Sequence, residues 1–173
     1  MSKIDELMDQ LGRYFLDSDA DGGERVDDTE EFTLVGAGEE DYDLLLHGCL
    51  SYNNGDDTAG GATSTSGGDG FVVDATHGAG GFMEHVTLDQ CTAFGNSDGY
   101  DVQEGVRFIT LMNCTARNNE WRGMSFANTA GDVTDPALIR DASLIGCQIN
   151  DNGRNGISMT NVVRSVIQGC HLY

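Results

Sequence analysis

The chain has 173 residues and a single proline, a length that fits one domain with a modest core. It carries 29 acidic and nine basic residues, and the formal net charge of −20 argues against a protein that binds duplex nucleic acid. No stretch approaches the about 18 to 20 apolar residues of a transmembrane helix, and the first ten residues lack the apolar region of a secretory signal. We therefore expect no nucleic-acid partner, no membrane span and no export by the general route.

The acidic residues are concentrated at the N-terminus. Residues 1–57 hold 17 acids and 3 bases, for a net charge of −14, whereas residues 58–173 hold 12 acids and 6 bases. Lys3 is the only lysine, against eight arginines. A composition with abundant Asp and almost no Lys resembles that of proteins from halophiles that accumulate salt. The alternative is an acidic tail joined to an ordinary domain, because acidic runs are usually solvated.

The first predicted element is an amphipathic helix over residues 3–16. Its apolar residues recur at helical spacing and form one stripe: Ile4, Leu7, Met8, Leu11, Tyr14 and Phe15. Such a stripe needs a partner, and three partners remain open: the first coil of the domain that follows, copies of the same helix, or a larger assembly. We assign residues 1–31 to this helix and an acidic linker, which act as an anchor or a cap.

A run of alternating aspartates follows the helix. Asp17, Asp19 and Asp21, with a glycine at position 22, match the opening of an EF-hand calcium loop. The match is incomplete, because Glu24 stands where an apolar residue is usual and Asp28 stands where the bidentate Glu is usual. A calcium site at these three aspartates is one interpretation, and a solvated linker is the other. No further cofactor is expected.

An internal repeat fills the remainder of the chain. Five cysteines lie in similar contexts at separations of 42, 23, 33 and 23 residues, and an asparagine lies five residues after each of the first four. The cysteines are Cys49, Cys91, Cys114, Cys147 and Cys170, and the asparagines are Asn54, Asn96, Asn119 and Asn152. A glycine followed by an alternating triplet comes next in each unit, at Gly70, Gly99, Gly123 and Gly156. A short apolar strand also precedes each cysteine, so one unit contains three short strands with a basic period of 23.

This repeat predicts a solenoid, in which each unit buries its apolar residues by stacking on its neighbours. The Cys, Asn and Gly columns over residues 32–173 resemble the right-handed parallel β-helix, the pectin-lyase-like architecture also used by viral tailspikes and surface proteins. The resemblance implies an all-β fold: a short right-handed parallel β-helix of about four to five coils, preceded by the N-terminal helix. It also implies aligned interior stacks and an asparagine ladder.

The columns have physical roles in such a stack. Equivalent residues of successive coils lie about 4.8 Å apart, so identical side chains form ladders, and Asn tolerates the left-handed bend between strands. Interior Cys behaves as a small hydrophobe. The chain has no Cys-x-x-Cys pair, and parallel Cβ vectors disfavour a disulfide between stacked cysteines. We therefore predict a structural column of free thiols.

One acidic cluster offers a chemical alternative. Asp98 and Asp101 lie in one coil, near Glu104, and Asp74 is placed about one coil above. Paired carboxylates could perform glycosidic acid–base chemistry or hold calcium for a lyase, with a basic partner among Arg107, Arg117, Arg122 and Arg154. Chance clustering in so acidic a chain is the competing interpretation, and it favours a protein that is not an enzyme. Three insertions, at 55–67, 75–82 and 127–136, are the places where a rigid scaffold would carry recognition loops.

These features favour a structural role. We hypothesise a surface-exposed virion component of a haloarchaeal virus, a capsid decoration, turret or tail-fibre subunit assembled in the host cytoplasm and displayed on the virion surface. Its partners would be itself, in a homo-oligomer that resembles the trimeric spikes, other virion proteins, and a glycan or glycoprotein of the host surface. The alternatives are a small carbohydrate-active β-helix enzyme, a lyase or hydrolase, and a cell-surface adhesion module of the host.

Overall fold

A computed structural model describes residues 32–35, 39–54, 68–75, 82–128, 135 and 137–173, with side chains from residue 44 onward. The predicted helix at 3–16 and the aspartates at 17–21 lie outside these residues. The described part contains eighteen short strands, and every pair among them is parallel. The predicted all-β fold with parallel strands is therefore confirmed.

The strands form three sheets, which we name A, B and C in the order in which the chain enters them. Sheet A contains β1 (Phe32–Val35), β4 (Phe71–Asp74), β7 (Tyr100–Val102), β11 (Arg122–Phe126) and β15 (Asn155–Met159). Sheet C contains β3 (Leu50–Tyr52), β6 (Thr92–Phe94), β10 (Thr115–Arg117), β14 (Gln148–Asn150) and β18 (His171–Leu172). Sheets A and C therefore each hold one strand from each passage of the chain.

Sheet B is the bent one. It begins with two long strands, β2 (Glu39–His47) and β5 (Phe82–Asp89), and continues with pairs of short strands. These are β8 (Val106–Arg107) and β9 (Thr110–Met112), β12 (Ile139–Arg140) and β13 (Ser143–Ile145), and β16 (Val162–Val163) and β17 (Val166–Gln168). The chain passes through A, B and C in turn and then returns to A one strand further along. This is the arrangement of a parallel β-helix.

Inward-facing residues form columns along the stack because parallel strands pair in register. Phe71, Tyr100, Met124 and Ile157 are successive partners in sheet A, and the rings of Phe71 and Tyr100 stack with centroids 5.0 Å apart. A second column in sheet B consists of Leu46, Leu88, Leu111, Leu144 and Ile167. Burying each large apolar side chain contributes about 1.5 to 3 kcal/mol, so both columns stabilise the stack.

The apolar side chains of these columns become exposed in the last passage of the chain. Ile167 and Leu172 are 50 and 54 % exposed, whereas their partners in the preceding passage, Leu144 and Ile149, are fully buried, and Tyr173 is 84 % exposed. Strands β15, β17 and β18 each pair on one side only among the described strands. This end of the described stack therefore presents apolar side chains beside strand edges.

Candidate functional site

The four asparagines stack in the turn that leads from sheet C to sheet A, which we name the ladder turn. The backbone N–H of Asn54 donates to Oδ1 of Asn96 at 3.0 Å, that of Asn96 to Oδ1 of Asn119 at 3.1 Å, and that of Asn119 to Oδ1 of Asn152 at 3.1 Å. The side-chain amide of Asn119 also donates to Oδ1 of Asn152 at 2.9 Å. Asn96, Asn119 and Asn152 each thus satisfy a backbone donor of the neighbouring coil, which an apolar residue could not do.

The recurring glycine is required by this ladder. A Cβ at Gly99 would lie 2.5 Å from the carbonyl oxygen of Gly123 and 2.7 Å from Nδ2 of Asn119. A Cβ at Gly70 or Gly123 would meet the equivalent groups, at 2.5 to 2.8 Å. The asparagine amide and the next strand therefore occupy the volume that a side chain would need, and the two repeat signals in the sequence have one structural cause.

The cysteines lie in the turn from sheet B to sheet C and point inward. Cys91, Cys114 and Cys147 are fully buried, Cys49 and Cys170 are half-buried, and all five are free thiols. The thiol of Cys114 donates to the carbonyl of Leu88 at 3.2 Å, and the other buried thiols make the equivalent contact with the preceding coil. The neighbouring thiols of Cys147 and Cys91, together with burial, raise the pKa of the Cys114 thiol. A buried thiol that donates to the backbone of the preceding coil is a structural group.

Asp98 belongs to a second ladder, directly before the glycine column. Oδ1 of Asp69 accepts the backbone N–H of Asp98 at 2.9 Å, and Oδ1 of Asp98 accepts the backbone N–H of Arg122 at 2.9 Å. The guanidinium of Arg122 folds back onto the same carboxylate, with Nη2 2.8 Å from Oδ2. Asp98 is 3 % exposed, so its charge is neutralised inside the stack. Arg122 is thus the one predicted basic residue that the structure brings to the predicted carboxylates.

Asp101 lies on the outward side of sheet A but is only 6 % exposed. Burial raises the pKa of this carboxyl group, while the hydrogen bond from Gln103 opposes the shift. The amide of Gln103 donates to Oδ2 of Asp101 at 2.6 Å. Asp74 is also buried, at 6 % exposure, and it lies one strand away, level with Gln103 rather than with Asp101.

The geometry of these carboxylates limits their chemistry. A raised carboxyl pKa beside an arginine is a feature of acid–base sites, but a general acid must reach a substrate. Asp74, Asp98 and Asp101 are each at most 6 % exposed, and hydrogen bonds from the protein already occupy Asp98 and Asp101. Asp69 and Asp98 therefore hold neighbouring coils together at the starts of β7 and β11.

The other arginines in the predicted set lie on separate faces. Arg107 contacts Glu84 at 3.3 Å and stacks on the ring of Phe82, with 4.4 Å from Cζ to the ring centroid. Arg117 lies over Phe94 in sheet C at 5.1 Å, and Arg154 lies over Trp121 at 4.0 Å. These three residues do not approach the carboxylates of sheet A, and two of them extend exposed aromatic surfaces instead.

Sequence reasoning missed an exposed column at the bend of sheet B, which we name the sheet-B corner. It consists of His85, Phe108, Asp141 and Arg164, all of which have a left-handed backbone, with φ between 51° and 59°. The rings of His85 and Phe108 stack with centroids 5.0 Å apart, and Arg164 forms a two-pronged ion pair with Asp141 at 2.7 and 2.5 Å. The column was hidden because its residue types differ, but each member lies six residues before a cysteine, and that offset is readable in the sequence.

No cluster of three or more potential metal ligands occurs among the residues that the structure describes. The predicted calcium ligands Asp17, Asp19 and Asp21 lie outside that part of the chain, so calcium at this run stays a prediction. Within the same described residues, no helix is long and apolar enough to cross a bilayer.

Comparison with known proteins gives a likeness of fold alone. No protein-family model matches the chain, and a search of curated proteins finds no match. Among solved structures, the chain is similar to the crystal structure of a variant of the periplasmic alginate epimerase AlgG, with a TM-score of 0.50 and 14 % sequence identity. The match covers 80 % of this chain and 36 % of that one, so the chain spans about a third of the length of the epimerase. AlgG is a right-handed β-helix, which is consistent with a parallel β-helix here.

Proposed function

We propose that this chain is a non-enzymatic, surface-exposed structural component of a larger assembly, and that the assembly is the particle of a haloarchaeal virus. The observation that carries the structural role is the engagement of Asp98: its carboxylate holds both the backbone and the guanidinium of Arg122 at 3 % exposure. A carboxylate used in this way stiffens the scaffold and leaves no room for a substrate. The halophilic setting is supported by the net charge of −20 and by the single lysine.

We also infer that the stack is right-handed and has about five coils. Sheets A and C each contain five strands, one from each passage of the chain. Connections between parallel strands of one sheet are right-handed in nearly all proteins, because a right-twisted strand packs back onto its sheet only in that sense. Residues 1–31 would serve as the anchor or cap of this stack, as the amphipathic pattern of residues 3–16 predicts.

The proposed location can be tested on particles. Antibodies raised against residues 82–173 should label the surface of virus particles released by the source cells, as seen by immunogold electron microscopy. Pre-immune antibodies serve as the control. Labelling confined to soluble cell extract, together with depolymerisation of uronate-containing polysaccharides by the purified protein, would contradict the proposal. Loss of that depolymerisation in Asp101→Asn would then favour the enzyme.

The halophilic setting has its own test. At a net charge of −20, self-repulsion should weaken the fold in dilute buffer, where the screening length is about 30 Å at 0.01 M salt, against about 3 Å at 1 M. We expect the melting temperature to rise steeply between dilute buffer and molar KCl. Sucrose at matched viscosity controls for general solvent effects, and a midpoint that salt leaves unchanged would contradict halophilic adaptation.

A further inference from the structure

The first passage of the chain (β1–β3) and the last passage (β15–β18) differ in the burial of equivalent side chains. Leu46 in β2 and Ile167 in β17 belong to one inward column and are similar in size. Leu46 is 7 % exposed, whereas Ile167 is 50 % exposed. In sheet C, Ser51 of β3 is 4 % exposed, whereas its counterpart Leu172 of β18 is 54 % exposed. The interior is thus shielded from water at the first passage and open to it at the last.

Strand pairing does not explain this difference. Among the described strands, β1, β2 and β3 each pair on one side only, with β4, β5 and β6. The strands of the last passage likewise have one neighbour each within the described part of the chain. A repeat buries its apolar residues by stacking on its neighbours, so an end repeat with a single neighbour stays partly exposed unless a cap covers it. Leu46 therefore has a cover that Ile167 lacks.

The N-terminal segment has the properties of such a cap. The sequence predicts an amphipathic helix over residues 3–16, which would be about 21 Å long. Residues 17–31 connect it to Phe32, where β1 begins in the first passage. These 15 residues span up to about 50 Å when extended, so the helix can reach any point above the first passage. Its other side carries Asp5 and Asp9, which would face water.

The other segments outside the described residues offer little apolar surface. They are residues 17–31, 36–38, 55–67, 76–81, 129–134 and 136. Most of their residues are Gly, Ala, Ser, Thr or acidic, and Val26 and Val133 are the only large apolar residues among them. Residues 3–16, in contrast, carry six large apolar residues in one stripe. The stripe is therefore the part of the chain that gains most free energy by covering Leu46.

We propose that residues 3–16 lie over the first passage of their own chain, with the apolar stripe against Leu46 and the inward side of sheet C at Ser51. In this position the helix closes the free edges of β1, β2 and β3 to strand addition, and its acidic side repels a second copy of so anionic a chain. This inference rests on the proposed function, in which residues 1–31 are an anchor or a cap, and deepens it: the segment caps its own stack.

Leu11→Asp and Gln10→Asp in the full-length chain form a matched pair of variants. Both place the same side chain in the predicted helix, but only Leu11 belongs to the stripe. The half-buried thiols of Cys49 in the first passage and Cys170 in the last passage report on the two ends. Burial raises the pKa of the Cys49 thiol, so loss of the cap would both expose this thiol and increase its thiolate fraction.

The proposal predicts different rates of thiol labelling by iodoacetamide. Leu11→Asp should accelerate the labelling of Cys49 at least about tenfold, because the cap no longer has to open, while Gln10→Asp should leave it unchanged. Cys170 should react at one rate in all three proteins, which also shows that the stack stays folded. Labelling of Cys49 at the wild-type rate in Leu11→Asp overturns the proposal. Acceleration in the wild type on dilution also overturns it, because the cover would then come from a second copy.

Trypsin digestion of the wild type tests the cap without any variant. Arg13 lies in the predicted helix and Arg25 in the linker, and a synthetic peptide of residues 1–31 gives the reference rate for each site. Relative to that peptide, cleavage after Arg13 should be slowed at least about tenfold more than cleavage after Arg25. Equal slowing at the two sites overturns the proposal. If antibodies still label virus particles in that case, the cap alone is removed and the proposed function stands.

Discussion

The ladder turn and the sheet-B corner both require a left-handed backbone, but they place different residue types in that conformation. In the ladder turn, the left-handed positions are Asn53, Gly95, Asn118 and Asp151, residue types that adopt this conformation at little cost. At the corner they are His85, Phe108, Asp141 and Arg164. The first turn is adapted to the interior of the stack, where an asparagine must reach the next coil. The second faces outward, and its residues are chosen by what they contact there.

Substitution of the ladder glycine should have the largest effect. In Gly99→Ala, the new Cβ would lie 2.5 Å from a backbone oxygen of the next coil, which cannot move without its strand. We expect a loss of about 3 kcal/mol in the free energy of unfolding, the upper end of overpacking effects. Gly48→Ala is the control, because its Cβ has open space and only the left-handed strain of about 1 kcal/mol remains. Equal losses in urea denaturation would show that the close approach is not limiting.

The neighbouring asparagines 118 and 119 give a sharper test of the ladder turn. Asn119→Ala removes a buried acceptor and leaves the backbone N–H of Asn96 without a partner, which should cost about 2 kcal/mol. Asn118→Ala changes an exposed residue and should cost about 1 kcal/mol, through its left-handed backbone alone. Chemical denaturation compares the two. If Asn118→Ala were the more damaging, the ladder would not be the stabilising feature.

Exchanging residue types between the two turns tests the comparison directly. Phe108→Asn relieves strain but removes the stacking on His85, so the two effects should cancel to within about 0.5 kcal/mol. The reverse change, Asn118→Phe, places a bulky side chain at a left-handed position and should cost about 1 to 2 kcal/mol. Melting curves of both variants suffice. A large loss in Phe108→Asn would mean that the ring stabilises the chain itself.

Of the changes considered, we expect acidification to have the smallest effect on stability, and it should act at the corner through Asp141. The hydrogen bond from Arg164 lowers the pKa of this carboxyl group in the folded state. Its contribution to stability is therefore present above the unfolded pKa, about 3.9, and is lost as the pH falls through the lower folded value. Asp141→Asn should melt slightly below the wild type at pH 6 and together with it at the acid end of the titration. A gap that persists at low pH would contradict this assignment.

The two turns also explain how much could be predicted from the sequence. The ladder repeats one residue type because one hydrogen-bonding geometry recurs, so Asn54, Asn96, Asn119 and Asn152 were visible at a constant offset from cysteine. The parallel strands and the inward columns followed from the same repeat. The corner has the same regular spacing but no repeated residue, because its neighbouring coils meet through a ring stack and an ion pair, which different residue types can form.

The carboxylates of sheet A show a different limit of prediction from the sequence. Sequence proximity offered Asp74, Asp98 and Asp101 as a catalytic group, and the structure brings Arg122 to Asp98. What the sequence did not reveal is that all three carboxylates are buried. The signal was present in the alignment of Asp69, Asp98, Arg122 and Asn155, each directly before the glycine of its unit.

The thiol contact between coils has a consequence for the length of the molecule. Each buried cysteine donates to a carbonyl of the preceding coil, and residues 92–114 run from the position after one cysteine to the next cysteine. This 23-residue segment therefore contains one member of each column, in the order ladder asparagine (Asn96), ladder glycine (Gly99), corner residue (Phe108) and thiol (Cys114). A tandem duplication of it would add one rung of about 4.8 Å with every column continuous. Duplication of this segment in the gene can thus lengthen the stack by whole coils without any change in the residues of the repeat.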